Sequence, residues 1–254
     1  MELTCTLPEK TLPSHTIIRA VIGIKHYVKG WLYYPFNTCV KDIQGERQRQ
    51  ALLETVAFVE AQMPQVPSFL TRLKLMDYAL GQREVAGGLI CEFGVHRGDS
   101  VNTLAKWMPN VEIHGFDSFE GLPEEWQSDI GKGAFALNGT PKVAPNVTLY
   151  KGWFDKTLHE FKKEHPGPIA FLHMDADLYS STKTIFGVLG DQIVPGTVIQ
   201  FDEYFNYPGW QQHEYRAFSE FCAERSVTFK YLGFARFGEQ VAVKITGRGT
   251  APVS

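Results

Sequence analysis

Two acidic stretches in the second half of the chain, "HMDAD" and "QFDE", contain the residue types that bind a hard divalent cation. Asp175 and Asp202 are 27 residues apart, about one strand–helix–strand crossover, so the strands that they end are expected to be neighbours. Asp177 and Glu203 lie beside them in sequence. Converging carboxylates repel each other unless they are protonated or neutralised, and Mg²⁺ is a natural neutraliser. We therefore predict a metal site formed by Asp175, Asp177, Asp202 and Glu203.

A structural alternative stays open for the same residues. In that interpretation Asp177 caps the following helix together with Ser180 and Ser181, and Asp202 only ends a strand. Acidic residues also end other predicted strands, and the set is Glu92, Asp117, Asp175 and Asp202. Ligands of open parallel sheets bind beyond the carboxyl ends of the strands, so the repeated acids favour a cationic ligand or a metal.

The stretch "GGLICEFGVHRGDSVNTLAKWM" has the look of a nucleotide-binding turn, but Gly94 and Gly98 do not fit the dinucleotide fingerprint. Asp117 follows Gly94 by 23 residues, which is near the distance at which an acid reaches a ribose hydroxyl. Glu92 and Asp99 flank the turn, and a pyrophosphate is disfavoured beside carboxylates. The turn therefore favours a ligand that has a ribose but no phosphate.

S-adenosylmethionine has a ribose, an ammonium group and a sulfonium, and its positive charges gain from the flanking acids. Gly94 and Gly98 allow the main chain to approach its methionyl part, while Ser100 and the amides at the next helix start can bind its carboxylate. We predict S-adenosylmethionine as the cofactor, with NAD as the alternative.

Composition bounds the class of protein. The chain has 254 residues, of which 44% are hydrophobic, which suits one α/β domain with an appendage. A net charge of −3 with dispersed basic residues argues against a nucleic-acid partner. The cysteines Cys5, Cys39, Cys91 and Cys222 form no Cys-x-x-Cys pair, so neither a zinc site nor a secreted disulfide scaffold is expected. A cytoplasmic location is the simplest expectation.

Residues 16–36 are rich in apolar side chains, but Arg19, Lys25, His26 and Lys29 interrupt them. A membrane span is therefore not predicted, and an amphipathic segment packed on the protein or on a partner subunit is favoured over a helix at a membrane surface.

The pattern of apolar residues changes near residue 85. Before it, two helical stripes are expected to pack in the core, and they consist of Leu52, Val56, Val59 and Met63, then Phe69, Leu73, Met76 and Leu80. After it, five short apolar runs alternate with helical segments, and "VTFKYLGFARFGEQVAVKI" adds two strands. The sequence predicts an α/β fold with a doubly wound, mostly parallel seven-stranded sheet and a C-terminal antiparallel hairpin. Residues 1–84 form a helical appendage and residues 85–254 the main domain.

Five motifs carry a resemblance to a known family, and they are "CEFGVHRGDS", "FDSFEGLP", "YKGWFDKTL", "HMDADLYSST" and "IQFDEY". In this order and spacing they resemble the macrocin O-methyltransferase family, which methylates sugar hydroxyls of macrolide antibiotics. The resemblance covers about residues 85–245. It implies a Rossmann-like class I methyltransferase fold, S-adenosylmethionine as donor and Mg²⁺-assisted transfer to an alcohol oxygen in natural product biosynthesis.

The resemblance also implies roles for individual residues. The predicted donor-binding residues are Glu92, Gly94, Arg97, Gly98, Ser100, Asp117, Ser118, Trp153 and Asp175. The metal is implied at Asp175 or Asp177 together with Asp202 and Glu203. Two departures stand out, because Asp99 replaces the family's usual glycine and Glu203 replaces the second of two adjacent aspartates.

An alcohol is too weakly acidic to attack a sulfonium unaided near neutral pH. A metal could bind two neighbouring hydroxyls and lower the pKa of one, and Asp177 could accept the proton, so Asp175 and Asp177 are the predicted catalytic residues. Without a metal, His173 or His213 becomes the candidate base.

The predicted acceptor is a hydroxyl of a sugar or another small natural product. Segments 119–146 and 204–215 are expected to bind it, and their aromatic residues Trp126, Tyr204, Tyr207 and Trp210 either stack on the acceptor or anchor loops. Two other functions stay open, an NAD-dependent oxidoreductase and a catalytically inactive donor-binding scaffold. The first 85 residues are expected to cover the site or to form a homodimer interface.

Overall fold

The computed structural model describes residues 42–126 and 130–249. Its helices are α1 (Ile43–Gln62), α2 (Arg72–Gly81), α3 (Asp99–Trp107), α4 (Phe154–Glu164), α5 (Tyr179–Leu189) and α6 (Glu214–Arg225), with a 3₁₀ turn at Trp210–Gln212. Its strands are β1 (Ser68–Phe69), β2 (Leu89–Phe93), β3 (Ile113–Asp117), β4 (Val147–Lys151), β5 (Ile169–Met174), β6 (Ile193–Phe201), β7 (Val227–Ala235) and β8 (Val241–Arg248). The apolar segment at 16–36 lies outside the described residues.

One eight-stranded sheet organises the chain, in the order β1-β7-β8-β6-β5-β2-β3-β4. All neighbouring pairs are parallel except those of β8, which is antiparallel to both β6 and β7. This arrangement confirms the predicted Rossmann-like sheet and its antiparallel C-terminal hairpin. The prediction of seven strands missed β1, because a strand of two residues, Ser68–Phe69, leaves no period in the sequence.

Apolar side chains cover both faces of the sheet. The central strand β5 is buried at all six positions, as expected for a parallel strand with helices on both sides. Phe93 and Phe116 stack on one face with their ring centroids 4.9 Å apart, while Ile90 and Phe171 belong to the core on the other face. Each such side chain stabilises the fold by roughly 1.5–3 kcal/mol relative to exposure. These two cores fix the strand ends in place.

The predicted stripe on α1 is wrong in part. Leu52 and Val56 are 48% and 44% exposed, whereas Ala51 and Thr55 are buried one position earlier. Thr55 Oγ1 accepts a hydrogen bond of 2.9 Å from the main-chain N–H of Asn206. The side of α1 that packs on the protein therefore carries an alanine and a threonine. A search for periodic large apolar residues cannot detect such a side.

The second predicted stripe is also corrected. Phe69 lies in β1 and Leu73 is 39% exposed, while Met76 and Leu80 are buried as expected. The side chain of Thr71 caps α2 by accepting from Lys74 N–H, which starts this helix after the strand. The division into residues 1–84 and 85–254 stays a prediction. Within the described ranges, no helix combines the length and the apolar character that crossing a membrane requires.

Candidate active site

Main-chain hydrogen bonds align the ends of four adjacent strands. They run from Gly94 N–H to Phe116 O at 2.9 Å, from Asp175 N–H to Phe93 O at 2.8 Å, and from Asp202 N–H to Met174 O at 2.8 Å. The ladder thus extends just past β3, β2, β5 and β6. Gly94, Asp175 and Asp202 consequently lie in one row at the carboxyl edge of the sheet, where ligands of such sheets bind.

A cavity of about 720 Å³ opens at this edge, a size that suits a small organic ligand. The predicted residues that line it are Gly94, Arg97, Ser100, Asp117, Ser118, Trp153, Asp175, Asp177, Asp202 and Glu203. Two predicted donor-binding residues, Glu92 and Gly98, are not among the described residues of its wall. The fold thus brings one continuous site together from five separate segments of the sequence.

Gly94 is required by the close approach of two strand ends. A Cβ atom at this position would lie 1.7 Å from the main-chain oxygen of Asp175, and the φ angle of Gly94 is +93°. Gly98 also has a left-handed φ angle, of +86°, at the N-cap of α3. Packing within the protein therefore accounts for both glycines, in addition to any approach of a ligand.

Asp117 braces the loop that follows β2. Its Oδ2 accepts a hydrogen bond of 2.7 Å from His96 N–H, and its Oδ1 accepts one of 2.6 Å from Phe119 N–H. A carboxylate has about four acceptor positions, so two remain for a ligand hydroxyl in the cavity. Asp117 thus sits between the donor loop and the cavity.

Glu92 lies directly behind the cavity wall. Its side chain is fully buried, its Oε1 accepts a hydrogen bond of 2.9 Å from Ser100 Oγ, and its Oε2 lies 3.1 Å from His173 Nδ1. Ser100 itself faces the cavity at the start of α3. Glu92 therefore holds a cavity residue in place, and a direct contact with the donor stays a prediction.

His173 is buried between two carboxylates. Its Nε2 lies 3.5 Å from Asp202 Oδ1, which is an ion-pair contact and is long for a hydrogen bond. Burial alone would lower the pKa of His173, but its contacts with Asp202 and Glu92 outweigh burial and raise that pKa to about 10. The side chain is fully buried and is not among the described residues of the cavity wall, so this geometry does not favour His173 as the base.

Asp202 is engaged on its other oxygen as well. Its Oδ2 accepts hydrogen bonds from Arg72 Nη1 at 3.1 Å and from Gln240 Nε2 at 3.3 Å. Burial would raise the pKa of Asp202, yet His173 and Arg72 hold it below its usual value. Asp202 is therefore an ionised carboxylate with its own partners.

The four predicted metal ligands fall into two overlapping groups. Ligand atoms of Asp175, Asp177 and Glu203 all lie within 4.8 Å of one another, and so do those of His173, Asp175 and Asp202. Asp202 is neutralised by protein cations, whereas Glu203 Oε2 is buried and has no hydrogen-bond partner among the described residues. The oxygens of Asp175, Asp177 and Glu203 are the type that Mg²⁺ prefers, so this group fits a metal best.

Among the described residues, none of the same three acids forms a close ion pair with a basic side chain. Burial and the charge of Asp202 raise the pKa of Asp177 to about 7. Burial, together with the charges of neighbouring carboxylates, raises the pKa values of Asp175 and Glu203 well above their usual range. A cation would relieve the mutual repulsion that holds these groups protonated.

The alternative in which Asp177 caps α5 is contradicted. The N-cap of α5 is Leu178, and Asp177 has a left-handed φ angle of +59° just before it. Ser180 and Ser181 face the cavity instead of completing a cap. This unfavourable backbone geometry places Asp177 in the cavity wall.

Glu214 is a functional candidate that the sequence interpretation missed. It is fully buried, and its two carboxylate oxygens accept hydrogen bonds from Ala176 N–H at 3.1 Å and from Glu203 N–H at 3.2 Å. It thereby joins the segments that carry the two halves of the acid cluster. The sequence did not single out Glu214, because it lies in the first turn of α6, where a glutamate commonly stabilises the positive end of the helix dipole.

The two predicted acceptor segments contribute unequally. Trp126, Lys132 and Phe135 from segment 119–146 line the cavity, as does Arg72, which the sequence interpretation also missed. In the second segment the aromatic residues belong to the core and anchor the loop, and they are Tyr204, Tyr207 and Trp210. His213 is not among the described residues of the cavity wall, and burial lowers its pKa.

Comparison with known proteins agrees with this geometry. Residues 91–204, which run from within β2 to just past β6, match a family model described as a methyltransferase domain. This part of the chain is therefore similar to a methyltransferase domain, and the described residues have a Rossmann-like fold. The comparison with curated protein sequences finds no match.

Solved structures with the same fold include two methyltransferases. CalS11, a calicheamicin methyltransferase, is 21% identical over 81% of this chain and 93% of its own, with a TM-score of 0.54. The O-methyltransferase NovP is 20% identical over 69% of this chain and 79% of its own, also with a TM-score of 0.54. An apo structure of CalS11, described as a TDP-rhamnose 3′-O-methyltransferase, is 21% identical over 84% of this chain and 98% of its own, with a TM-score of 0.50. These likenesses show that the chain shares their fold.

Proposed function

We propose that the chain is an S-adenosylmethionine-dependent O-methyltransferase that methylates a hydroxyl of a sugar or another small natural product, with the assistance of Mg²⁺. One observation carries the proposal. A single cavity joins the loop at Gly94, Ser100 and Asp117 to the acid cluster of Asp175, Asp177 and Glu203. A methyl donor and a hydroxyl acceptor need such adjoining sites, because transfer is an in-line displacement from sulfur to oxygen.

The donor half binds by charge and hydrogen bonding. Asp117 has free acceptor positions for the ribose, and the start of α3 at Ser100 offers main-chain N–H groups to the methionyl carboxylate. The acids at Asp99 and Asp175 favour the ammonium group and the sulfonium. A pyrophosphate would meet these same acids, which disfavours NAD.

The acceptor half needs a group that makes a hydroxyl nucleophilic. Mg²⁺ held by Asp175, Asp177 and Glu203 would lower the pKa of a bound hydroxyl when present. Asp177, where it is not itself bound to the metal, is placed in the cavity wall to accept the hydroxyl proton. Arg72 keeps Asp202 ionised beside this cluster.

A turnover assay tests the proposal. The protein is incubated with S-adenosylmethionine, Mg²⁺ and a panel of hydroxylated sugars and glycosides, and S-adenosylhomocysteine is measured. We expect acceptor-dependent product, and a methylated hydroxyl in the mass spectrum of the acceptor. Donor binding without any turnover would favour an inactive scaffold, and reduction of NAD in the same assay would favour an oxidoreductase.

Three further expectations belong to the proposal. A role in natural product biosynthesis follows from the family resemblance, a cytoplasmic location from the cysteine pattern, and a homodimer from the N-terminal apolar residues. Light scattering at the mass of a monomer would contradict the dimer.

A further inference from the structure

A continuous series of buried polar contacts runs behind the cavity wall. Ser100 Oγ donates to Glu92 Oε1 at 2.9 Å, Glu92 Oε2 lies 3.1 Å from His173 Nδ1, and His173 Nε2 lies 3.5 Å from Asp202 Oδ1. All four side chains are at most 6% exposed. The contacts therefore form one connected series that is shielded from water.

The two ends of the series face the two halves of the site. Ser100 lines the cavity at the donor loop and Asp202 lines it beside the acid cluster, whereas Glu92 and His173 lie behind the wall. The strands explain this order, because Glu92 and His173 are direct partners in the parallel pair of β2 and β5. His173 is in turn the partner of Gln200, two residues before Asp202 on β6. Alternate residues of a strand share a face, so these side chains meet on one side of the sheet.

The imidazole of His173 connects the two halves of the series, because it contacts both Glu92 and Asp202. Each ring nitrogen of His173 faces a carboxylate, Nδ1 that of Glu92 and Nε2 that of Asp202, so the ring is held from both sides. A buried acid that loses its partner has to move or to find another donor. Asp202→Asn would weaken the hold on one side of the ring and let the ring shift relative to Glu92, and Glu92 is the acceptor that orients Ser100.

We propose that His173 is a positioning residue that couples the donor loop to the acceptor side, because it joins Glu92 and Ser100 to Asp202 through the wall of the cavity. The inference rests on the proposed binding of S-adenosylmethionine at this loop. Coupling of this kind is reciprocal, so a change on the acceptor side should change the affinity of the donor site for its ligand. The alternative is that these contacts stabilise the fold but do not couple the two halves of the site.

A double-mutant cycle with S-adenosylhomocysteine as the probe distinguishes the two. Calorimetry gives the donor-product Kd of the wild type, Asp202→Asn, His173→Gln and the double variant. We expect Asp202→Asn to weaken binding at least about fivefold in the wild type and less than about twofold in the His173→Gln background. Equal effects of Asp202→Asn in both backgrounds would overturn the proposal.

Asp191→Asn is the matched control, because it makes the same substitution at an ion-paired carboxylate, which contacts Lys162, lies outside the described cavity wall and has no contact with His173 among the described residues. Its Kd for the probe should stay within about twofold of the wild type. Should His173→Gln fail to fold, Glu92→Gln replaces it and breaks the series one step earlier. Should both fail to fold, Ser100→Ala replaces them in the same cycle, because it breaks the series at its other end, and the same two outcomes decide.

The cycle also separates this inference from the proposed function. Absence of probe binding by the wild type would contradict the donor site and, with it, the coupling. Binding by the wild type that is insensitive to Asp202→Asn would leave the methyltransferase function intact and would overturn the coupling alone.

Discussion

The α-carbon of Gly94 and the main-chain oxygen of Asp175 lie so close that a Cβ atom on Gly94 would stand 1.7 Å from that oxygen. The donor loop after β2 and the acid cluster after β5 are therefore in direct main-chain contact. Asp175 N–H also donates a hydrogen bond of 2.8 Å to the main-chain oxygen of Phe93, the residue before Gly94. The two halves of the site are thus placed by the sheet itself.

Gly94→Ala should separate these halves. We expect a loss of about 2–4 kcal/mol of unfolding free energy, from steric overlap and a φ angle of +93°, together with loss of donor binding. Urea denaturation and calorimetry measure the two effects. Gly139→Ala is the matched control, since Gly139 has a φ angle of +100° but nothing within 4 Å of its Cβ position. A similar small loss in both variants would show that the contact with Asp175 does not matter.

Glu214→Ala should uncouple the two acid-bearing segments. Ala176 N–H and Glu203 N–H would each lose a buried acceptor, so we expect a loss of about 3 kcal/mol and a lower kcat. Glu214→Gln is the control, because it keeps the volume and one acceptor oxygen, and it should lose about half as much. Unchanged urea midpoints in both variants would contradict this role of Glu214.

The pH dependence of stability tests the electrostatics near Asp202. Burial, then the charge of Asp202, raises the pKa of Glu239 to about 7, from an ordinary value of 4.5. The folded state thus binds this proton more tightly than the unfolded state, and the resulting stability is complete below pH 4.5 and is lost as the pH rises through 7.

Glu239→Gln should therefore gain stability relative to the wild type as the pH rises. Between pH 4.5 and pH 8 we expect a relative gain of about 1 kcal/mol, after allowance for the partial exposure of Glu239. Thermal unfolding at both pH values measures it, and Glu120→Gln on an exposed loop is the control. A relative stability that does not change between the two pH values would show that Glu239 is not perturbed.

Much of the site could be predicted from the sequence, because each parallel strand is one apolar run and the residue that ends it faces the ligand. Gly94, Asp117, Asp175 and Asp202 were found in this way, and all four line the cavity. The order and direction of the strands followed from the alternation of strands with helices. In this fold the residues that end the apolar runs are also the residues of the site, so the pattern of apolar runs is enough to find them.

The rest depends on contacts that local patterns do not record. Arg72 reaches Asp202 across 130 positions of sequence, and β1 has only two residues. Tyr204 and Trp210 resemble ligand-stacking residues by composition, but the fold buries them in the core. The sequence predicts Glu92 as a ligand-binding acid because it lies at the end of a strand. Its contacts with Ser100 and His173 are visible only in the structure.

Removal of the metal should stop turnover and spare donor binding. If Asp175, Asp177 and Glu203 hold Mg²⁺ against the acceptor, a chelator should abolish product formation while the Kd for S-adenosylhomocysteine stays within about twofold, because the ion does not touch the sulfur. Added Mg²⁺ should restore the chelated wild type but not Glu203→Gln. Glu164→Gln, at the far end of α4, is the control and should be restored fully. Full turnover in buffer shown to be metal-free by elemental analysis would disprove the metal mechanism.

Asp117→Ala should weaken the donor by about 1–3 kcal/mol, because the ribose loses a charge-assisted hydrogen bond and His96 N–H loses its acceptor. Calorimetry with S-adenosylhomocysteine measures the change. Asp77→Ala, an exposed acid on α2 outside the described cavity wall, is the control and should bind as the wild type does. Equal affinity in Asp117→Ala and the wild type would remove Asp117 from the donor site.

The central claim is that the cavity at the carboxyl edge of the sheet binds S-adenosylmethionine rather than a dinucleotide. Calorimetric titration of the wild-type protein with S-adenosylhomocysteine and, separately, with NAD tests it most directly. We predict saturable binding of S-adenosylhomocysteine at one site per chain and no saturable heat with NAD. Saturable binding of NAD together with no binding of S-adenosylhomocysteine would contradict the account.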